Sequence, residues 1–93
     1  MNFCKCRGSV TNARARERLR RRGYRPLGRK GAETLVRSGL THQFDELSTV
    51  VFLGSDLSDL AVFVLAGRGS NECYVYEAIE SGWWSPGTLF ACE

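Results

Sequence analysis

The chain has 93 residues, of which 43% are hydrophobic and 25% are charged, and its formal net charge is +3. This length and composition predict one soluble globular domain, residues 1–93, and exclude a disordered polypeptide. The longest nearly apolar stretch, Leu60 to Ala66, is far shorter than the roughly 20 residues of a membrane-spanning helix, so we expect no membrane contact. The first residues, MNFCKC, lack the apolar segment of a secretory signal, which predicts a cytoplasmic protein with reduced thiols.

The charge is strongly segregated along the chain. Residues 1–37 carry twelve of the thirteen basic residues and two acidic residues, a net charge of +10. Residues 38–93 carry one basic and eight acidic residues, a net charge of −7. A local excess of ten positive charges creates a potential that attracts negative surfaces, so nucleic acid or a nucleoprotein complex is the predicted partner.

Residues 12–22, NARARERLRRR, are predicted to form a basic helix. Arg, Ala, Leu and Glu are good helix formers, and Thr11 or Asn12 can cap the first amide groups. Only Ala15 and Leu19 line up as an apolar stripe, so this helix is expected to dock through one narrow seam. Most of its circumference then stays in water, which leaves the arginines available to a partner.

A glycine-containing connection follows the basic helix. Gly23 is expected to end the helix in the left-handed conformation, and residues 24–31, YRPLGRKG, are predicted to form a basic loop. Apolar residues recur at helical spacing over residues 32–38, which favours a short second helix; a strand beginning at 33–36 is the alternative. The basic helical part of the domain is therefore residues 1–40.

The remaining residues, 41–93, are predicted to form an antiparallel sheet. Short segments rich in β-branched and aromatic residues alternate there with turn-like sequences; the segments are 47–53, 60–66, 73–80 and 88–92. Connections of about six residues are too short for parallel crossovers, so consecutive segments should pair antiparallel. The predicted fold class is α+β: an antiparallel sheet of three to four strands in the C-terminal half, covered by the basic N-terminal helix and the short second helix.

The basic helix and the loop after it form the candidate site for an anionic partner. If the helix continues to Arg25, four of its arginines lie along one side. The predicted binding residues are Arg14, Arg18, Arg21, Arg22, Arg25, Arg29 and Lys30. Such residues neutralise phosphates and give affinity without reading base sequence. The alternative is that these residues pair with acidic residues. The acidic partners could belong to the same chain or to a second subunit, and in the second case the protein would be a homodimer or larger homo-oligomer.

Aromatic residues near the C-terminus suggest a second contact. Core packing is the commonest role of such aromatic residues. Trp83 and Trp84 lie in a glycine-bounded loop, where two tryptophans need not both be buried, so a protein-binding hot spot centred on them is the alternative. Tyr74 and Tyr76 share one face of a strand and could stack bases. The flanking acidic residues disfavour that function, because base-stacking grooves are normally positive.

The cysteines and the single histidine do not form a catalytic or metal-binding pattern. Cys4 and Cys6 are separated by one residue, and Cys73 and Cys92 are lone cysteines, whereas zinc sites use C-x₂₋₄-C spacing. We therefore predict no metal and no cofactor. Cys73 and Cys92 are expected to be small core residues, which would approach one another if the last two strands pair, and Cys4 and Cys6 are expected to be exposed. His42 has no sequence pattern that would supply a nucleophile and an orienting group, so we predict that the protein is not an enzyme.

The combined prediction is a non-enzymatic interaction protein whose basic helix and loop dock on an anionic macromolecular surface. A small, motif-free domain with such polarised charge is compatible with a phage- or mobile-element-encoded modulator of a host complex, such as an anti-CRISPR-like inhibitor. Self-association through the basic and acidic halves is the alternative from a different class. A zinc- or cysteine-dependent protein is a weaker third hypothesis.

Overall fold

The computed structural model describes residues 1–39, 44, 48–54, 60–66, 75–77 and 82–93. These residues contain, in chain order, β1 (Asn2–Lys5), β2 (Val10–Thr11), α1 (Asn12–Arg21), α2 (Arg29–Ser38), β3 (Ser48–Phe52), β4 (Val62–Ala66), β5 (Val75–Glu77), β6 (Trp83–Trp84) and β7 (Leu89–Cys92). The α+β class predicted from the sequence is confirmed. In this part of the chain, no helix combines the length and the apolar character needed to cross a membrane.

The main sheet has five strands in the order β1-β7-β3-β4-β5. The pairs β3–β4 and β4–β5 are antiparallel, as predicted for consecutive strands. The prediction of a purely antiparallel C-terminal sheet is wrong in two respects. β7 returns to lie parallel to β3, with Val50 opposite Leu89, and the N-terminal β1 pairs antiparallel with the other edge of β7. Three strands separate β3 from β7 along the chain, so the argument from short connections does not apply to this pair.

The two helices cover opposite faces of the main sheet. Alternate side chains of a strand point to opposite faces, and β3 follows this rule. Val51 packs in a buried cluster with Ala15 of α1, whereas Val50 and Phe52 pack in a second buried cluster with Leu35 of α2. The sheet is therefore buried between two helical layers, with α1 and its arginines on one side only.

Helix α1 begins and ends where the local sequence predicts. The Thr11 hydroxyl caps the helix by accepting a hydrogen bond from the Arg14 amide at 3.3 Å. Gly23 takes the left-handed conformation (φ 81°), and the Tyr24 amide donates to the Leu19 carbonyl at 2.9 Å. This is the glycine-ended geometry that satisfies the last carbonyls of a helix. It also turns the chain away from the helix axis, so the helix does not continue to carry later arginines.

Helix α2 begins at Arg29, three residues earlier than predicted, so Arg29 and Lys30 lie in its first turn rather than in a loop. Gly31 permits this. A Cβ at position 31 would lie 3.2 Å from the Phe52 ring, closer than side-chain contacts normally allow. Glycine therefore lets the first turn of α2 lie directly against β3. Residues 29–31, which were predicted to lie in a basic loop, belong to a packed helix.

Candidate anion-binding site

A pocket with a volume of about 610 Å³ opens between α1 and the N-terminal segment that contains β1. Among the residues that the structure describes, its lining contains four cationic side chains and no carboxylate; the cations are Lys5, Arg7, Arg18 and Arg22. We call these four residues the cationic rim. The other lining residues carry apolar side chains or thiols and are Cys4, Cys6, Val10, Ala15, Leu19 and Phe90. The pocket thus combines an apolar wall with concentrated positive charge.

The helical half of the cationic rim follows from the sequence of α1. Arg18 and Arg22 are four residues apart and therefore lie on the same side of the helix. Ala15 and Leu19 are buried against the sheet, which fixes the rotation of the helix about its axis. Arg22 is also the last residue before Gly23, at the negative end of the helix dipole, where a cation is favourable.

The other half of the cationic rim comes from the N-terminus. Lys5 ends β1 and is opposite Leu89 in the antiparallel pairing with β7. Past the end of β1, the Cys6 amide donates to the Thr88 carbonyl at 3.0 Å, and the Gly87 amide donates to the Cys6 carbonyl at 2.8 Å. This continued pairing holds Lys5 beside the pocket and places the next cation, Arg7, there as well.

No carboxylate in the described part of the chain neutralises the charges of the cationic rim. All four residues are exposed, and none forms an ion pair with another described residue. The situation differs for two other predicted arginines. Arg21 donates to Glu17 at 2.7 Å, and Arg25 forms an ion pair with Glu93. The structure therefore separates arginines that face an open pocket from arginines that already have a carboxylate partner.

The seven predicted binding residues do not form one continuous surface. Arg18 and Arg22 line the pocket, whereas Arg14 and Arg21 are exposed on α1 outside its lining. Arg25 lies beyond the helix, where its amide and carbonyl both pair with the backbone of Glu93 at 2.9 Å. Arg29 and Lys30 lie on α2, against the opposite face of the sheet. Sequence reasoning missed Lys5 and Arg7, because only the pairing of the two chain ends brings them to α1.

Arg16 lies on the buried side of α1 and is not available to a partner. Its side chain is buried, with Nη2 donating to the Leu53 carbonyl at 2.5 Å and Nε donating to the Gly54 carbonyl at 3.4 Å. These carbonyls follow the end of β3, where the sheet no longer pairs them. The expectation that all arginines of this helix stay in water is therefore wrong for Arg16, which attaches α1 to the sheet.

The two tryptophans of β6 have different environments. Trp83 is 68% exposed and remains the candidate for a protein contact. Trp84 packs against the buried cluster under α1, with its ring 5.6 Å from the Phe63 ring in an edge-to-face arrangement. Its indole N–H also donates to the Asn12 side chain at 2.5 Å. Trp84 therefore helps to position the start of α1, and the two residues are not one hot spot.

Replacing each tryptophan by alanine will separate these roles. We expect Trp84→Ala to lower the free energy of unfolding by about 3 kcal/mol, because it removes packed apolar volume and a hydrogen bond. Trp83→Ala should change it by less than about 0.5 kcal/mol, as for other exposed sites. Urea unfolding followed by circular dichroism measures both. Equal losses of unfolding free energy in the two variants would contradict the conclusion that Trp84 stabilises the fold and Trp83 does not.

The thiols that the structure describes are partly or fully buried. Cys92 is buried, as predicted, but its neighbour is Cys4, with the two sulfur atoms 3.7 Å apart. Cys6 was expected to be exposed and is instead buried, with its thiol donating to the Ser85 carbonyl at 3.2 Å. The predicted partner of Cys92, Cys73, and the single histidine, His42, lie outside the described residues.

Burial has a chemical consequence for Cys92. Burial and then the hydrogen bond with the Cys4 thiol raise the pKa of Cys92 to about 11. Cys92 therefore keeps its proton at neutral pH while both thiols are reduced. Within the described residues, no three cysteine, histidine or acidic side chains come close enough together to hold a metal ion.

Comparisons with known proteins give no relative from which a function could be transferred. The chain matches no protein-family model, no curated protein and no solved structure. The assignment of function therefore depends on the geometry and charge of the site.

Proposed function

We propose that this chain is a non-enzymatic interaction protein that docks on the phosphate backbone of a nucleic acid or nucleoprotein complex through the cationic rim. The observation that carries the proposal is the described pocket lining, in which Lys5, Arg7, Arg18 and Arg22 occur together and none of the described lining residues is a carboxylate. Cations that lack a carboxylate partner can release counterions from phosphates without first breaking an ion pair. Arg14, exposed on the same helix, extends this surface.

The chemistry of the pocket favours backbone contacts over base reading. Reading a base edge needs hydrogen-bonding side chains placed opposite it. Between the cations, the described lining offers apolar side chains and thiols, and it contains none of the amide or carboxylate side chains that read adenine or cytosine. The proposed contacts are therefore to phosphate oxygens, and they give affinity with little sequence preference.

Binding to nucleic acid should depend steeply on salt. Each neutralised phosphate contributes about −0.9 to the slope of log affinity against log salt concentration, so four contacts predict a slope near −3.6. The affinity should then fall about 100-fold between about 50 and about 200 mM salt. Fluorescence anisotropy with a labelled duplex of random sequence measures this slope. A slope near zero would exclude phosphate contacts as the source of affinity.

Two further measurements distinguish phosphate binding from self-association and from binding to a protein surface. If the cationic rim pairs with the acidic residues of a second copy, light scattering will show an oligomer that dissociates as salt rises, with no duplex bound. If the target is a nucleoprotein complex of a host cell, an affinity pull-down from lysate will lose its captured proteins after nuclease treatment. Capture that survives nuclease would indicate a protein surface as the target and would contradict the phosphate contacts.

A further inference from the structure

The proposed docking function leaves one nucleophilic cluster unexplained, the thiols of Cys4 and Cys92. Asn2 is opposite Cys92 and Cys4 is opposite Phe90 in the pairing of β1 with β7. The two cysteines are therefore diagonal neighbours on one face of the sheet, and their sulfur atoms are 3.7 Å apart. They are separated by 88 residues in the sequence, so a bond between them would close a long loop.

The two thiols differ in access. Cys92 has no exposed surface and its sulfur also contacts the Asn2 carbonyl at 3.7 Å. Cys4 is partly exposed and lines the open pocket, so a small reagent can reach it. Cys6 lines the same pocket but is more buried, and its thiol is directed to the Ser85 carbonyl rather than to another sulfur. Cys4 is thus the accessible thiol with a second thiol beside it.

We propose that Cys4 is an oxidation site for hydroperoxides and that its oxidation yields a disulfide with Cys92. In the first step the Cys4 sulfur attacks one peroxide oxygen and the O–O bond breaks. The thiol proton passes to the leaving oxygen, so Cys4 sulfenic acid and an alcohol, or water from hydrogen peroxide, are formed. In the second step the Cys92 sulfur attacks the sulfenic sulfur, the S–O bond breaks, and the thiol proton leaves with the hydroxyl group as water. Two electrons pass from the two thiols to one peroxide, so no further oxidant is needed.

The geometry predicts that this disulfide forms and is also readily reduced. A disulfide has its sulfur atoms about 2.05 Å apart, so the two must approach by somewhat less than 2 Å. β1 is the edge strand of the sheet and can adjust towards β7. Diagonal strand positions lie somewhat farther apart than an unstrained disulfide prefers, and strained disulfides have more oxidising potentials. The bond should therefore open with millimolar dithiothreitol in the folded protein.

Intact mass spectrometry of the reduced full-length chain after hydrogen peroxide treatment tests the proposal. We expect a loss of the mass of two hydrogen atoms, a peptide map with a Cys4–Cys92 link, and recovery on reduction. Oxidation should also raise the Tm by about 5 °C or more, because the long loop restricts the unfolded chain. Cys6→Ser is the matched control and should oxidise as the unaltered protein does.

Two further variants make the proposal falsifiable. Cys92→Ser should accumulate Cys4 sulfenic acid, detected as a gain of one oxygen atom and trapped by dimedone. Cys4→Ser should slow oxidation by more than about tenfold, because the remaining thiol of the pair is buried. Two results would overturn the proposal. One is a disulfide that joins Cys4 or Cys92 to Cys6 or Cys73. The other is Cys4 that gains oxygen in the unaltered protein without forming a disulfide. Peptide mapping of the unaltered protein decides the question even if a serine variant does not fold.

Discussion

Reversing the charge of Arg18 and Arg22 together to glutamate will lower the affinity for nucleic acid by more than about 100-fold at about 0.1 M salt. Counterion release from one phosphate contributes roughly eightfold to affinity at this salt concentration, so the loss of two contacts removes about 60-fold. The two introduced carboxylates then add repulsion to the same strand. The slope of log affinity against log salt should also become shallower by about 2.

Arg21→Glu/Arg25→Glu is the matched control, because it changes the net charge by the same amount. Both arginines have a carboxylate partner, Glu17 and Glu93 respectively, and both lie outside the pocket lining. We expect this variant to lose less than about tenfold in affinity, through the general field of the molecule alone. Equal losses in the two double variants would mean that net charge, and not the pocket, carries binding.

The charge-reversed protein must also remain folded for the result to count. The side chains of Arg18 and Arg22 are exposed, so their replacement should change the free energy of unfolding by less than about 1 kcal/mol. Circular dichroism and urea unfolding measure this. If Arg18→Glu/Arg22→Glu instead dissociates an oligomer seen by light scattering, the cationic rim is a subunit interface and self-association replaces the proposed function.

Local signals in the sequence were sufficient for the parts of the fold that depend on neighbouring residues. The Thr11 cap, the glycine end at Gly23 and the narrow Ala15–Leu19 seam of α1 are all present as predicted. Each of these features is decided within a few residues, by helix propensity, by one side-chain hydrogen bond or by the freedom of glycine to take positive φ. The same holds for the antiparallel pairing of β3 with β4.

The parts that were not predicted depend on contacts between distant residues. β1 has only four residues, and its pairing with β7 joins the two ends of the chain. Without that pairing, Lys5 and Arg7 cannot be placed beside Arg18 and Arg22, so no sequence pattern groups these four residues. The parallel return of β7 to β3 is equally nonlocal. Half of the candidate site could therefore be predicted from the sequence. Helical periodicity places Arg18 and Arg22 together, whereas the position of Lys5 and Arg7 depends on the strand pairing of the folded sheet.

Arg16 shows why charge counting along a helix overestimates the binding surface. Five other arginines of similar appearance occur between positions 14 and 22, and no local signal marks this one as buried. Its environment is set by the Leu53 and Gly54 carbonyls after β3, which are buried acceptors that need donors. The planar guanidinium supplies two N–H groups in a fixed fork that can reach both. Burial of the cation is therefore a consequence of how the strand ends.

Arg16→Ala is expected to lower the free energy of unfolding by about 3 kcal/mol or more. The substitution leaves two buried carbonyl groups without these donors and removes the side chain that fills the space between α1 and β3. A loss of this size is a large share of the 5–15 kcal/mol that stabilises a typical domain. Arg16→Lys keeps the charge but not the fork, and should lose about 1–2 kcal/mol. Urea unfolding followed by circular dichroism measures both.

Arg14→Ala is the matched control for Arg16→Ala, because it makes the same change in charge and helix propensity two residues away at an exposed position. We expect it to change stability by less than about 0.5 kcal/mol. At a temperature where Arg16→Lys is fully folded, its affinity for nucleic acid should equal that of the unaltered protein, because the buried side chain does not reach the pocket lining. If Arg16→Ala is as stable as Arg14→Ala, the two carbonyls must find other donors. That result would contradict the explanation that Arg16 is buried in order to donate to them.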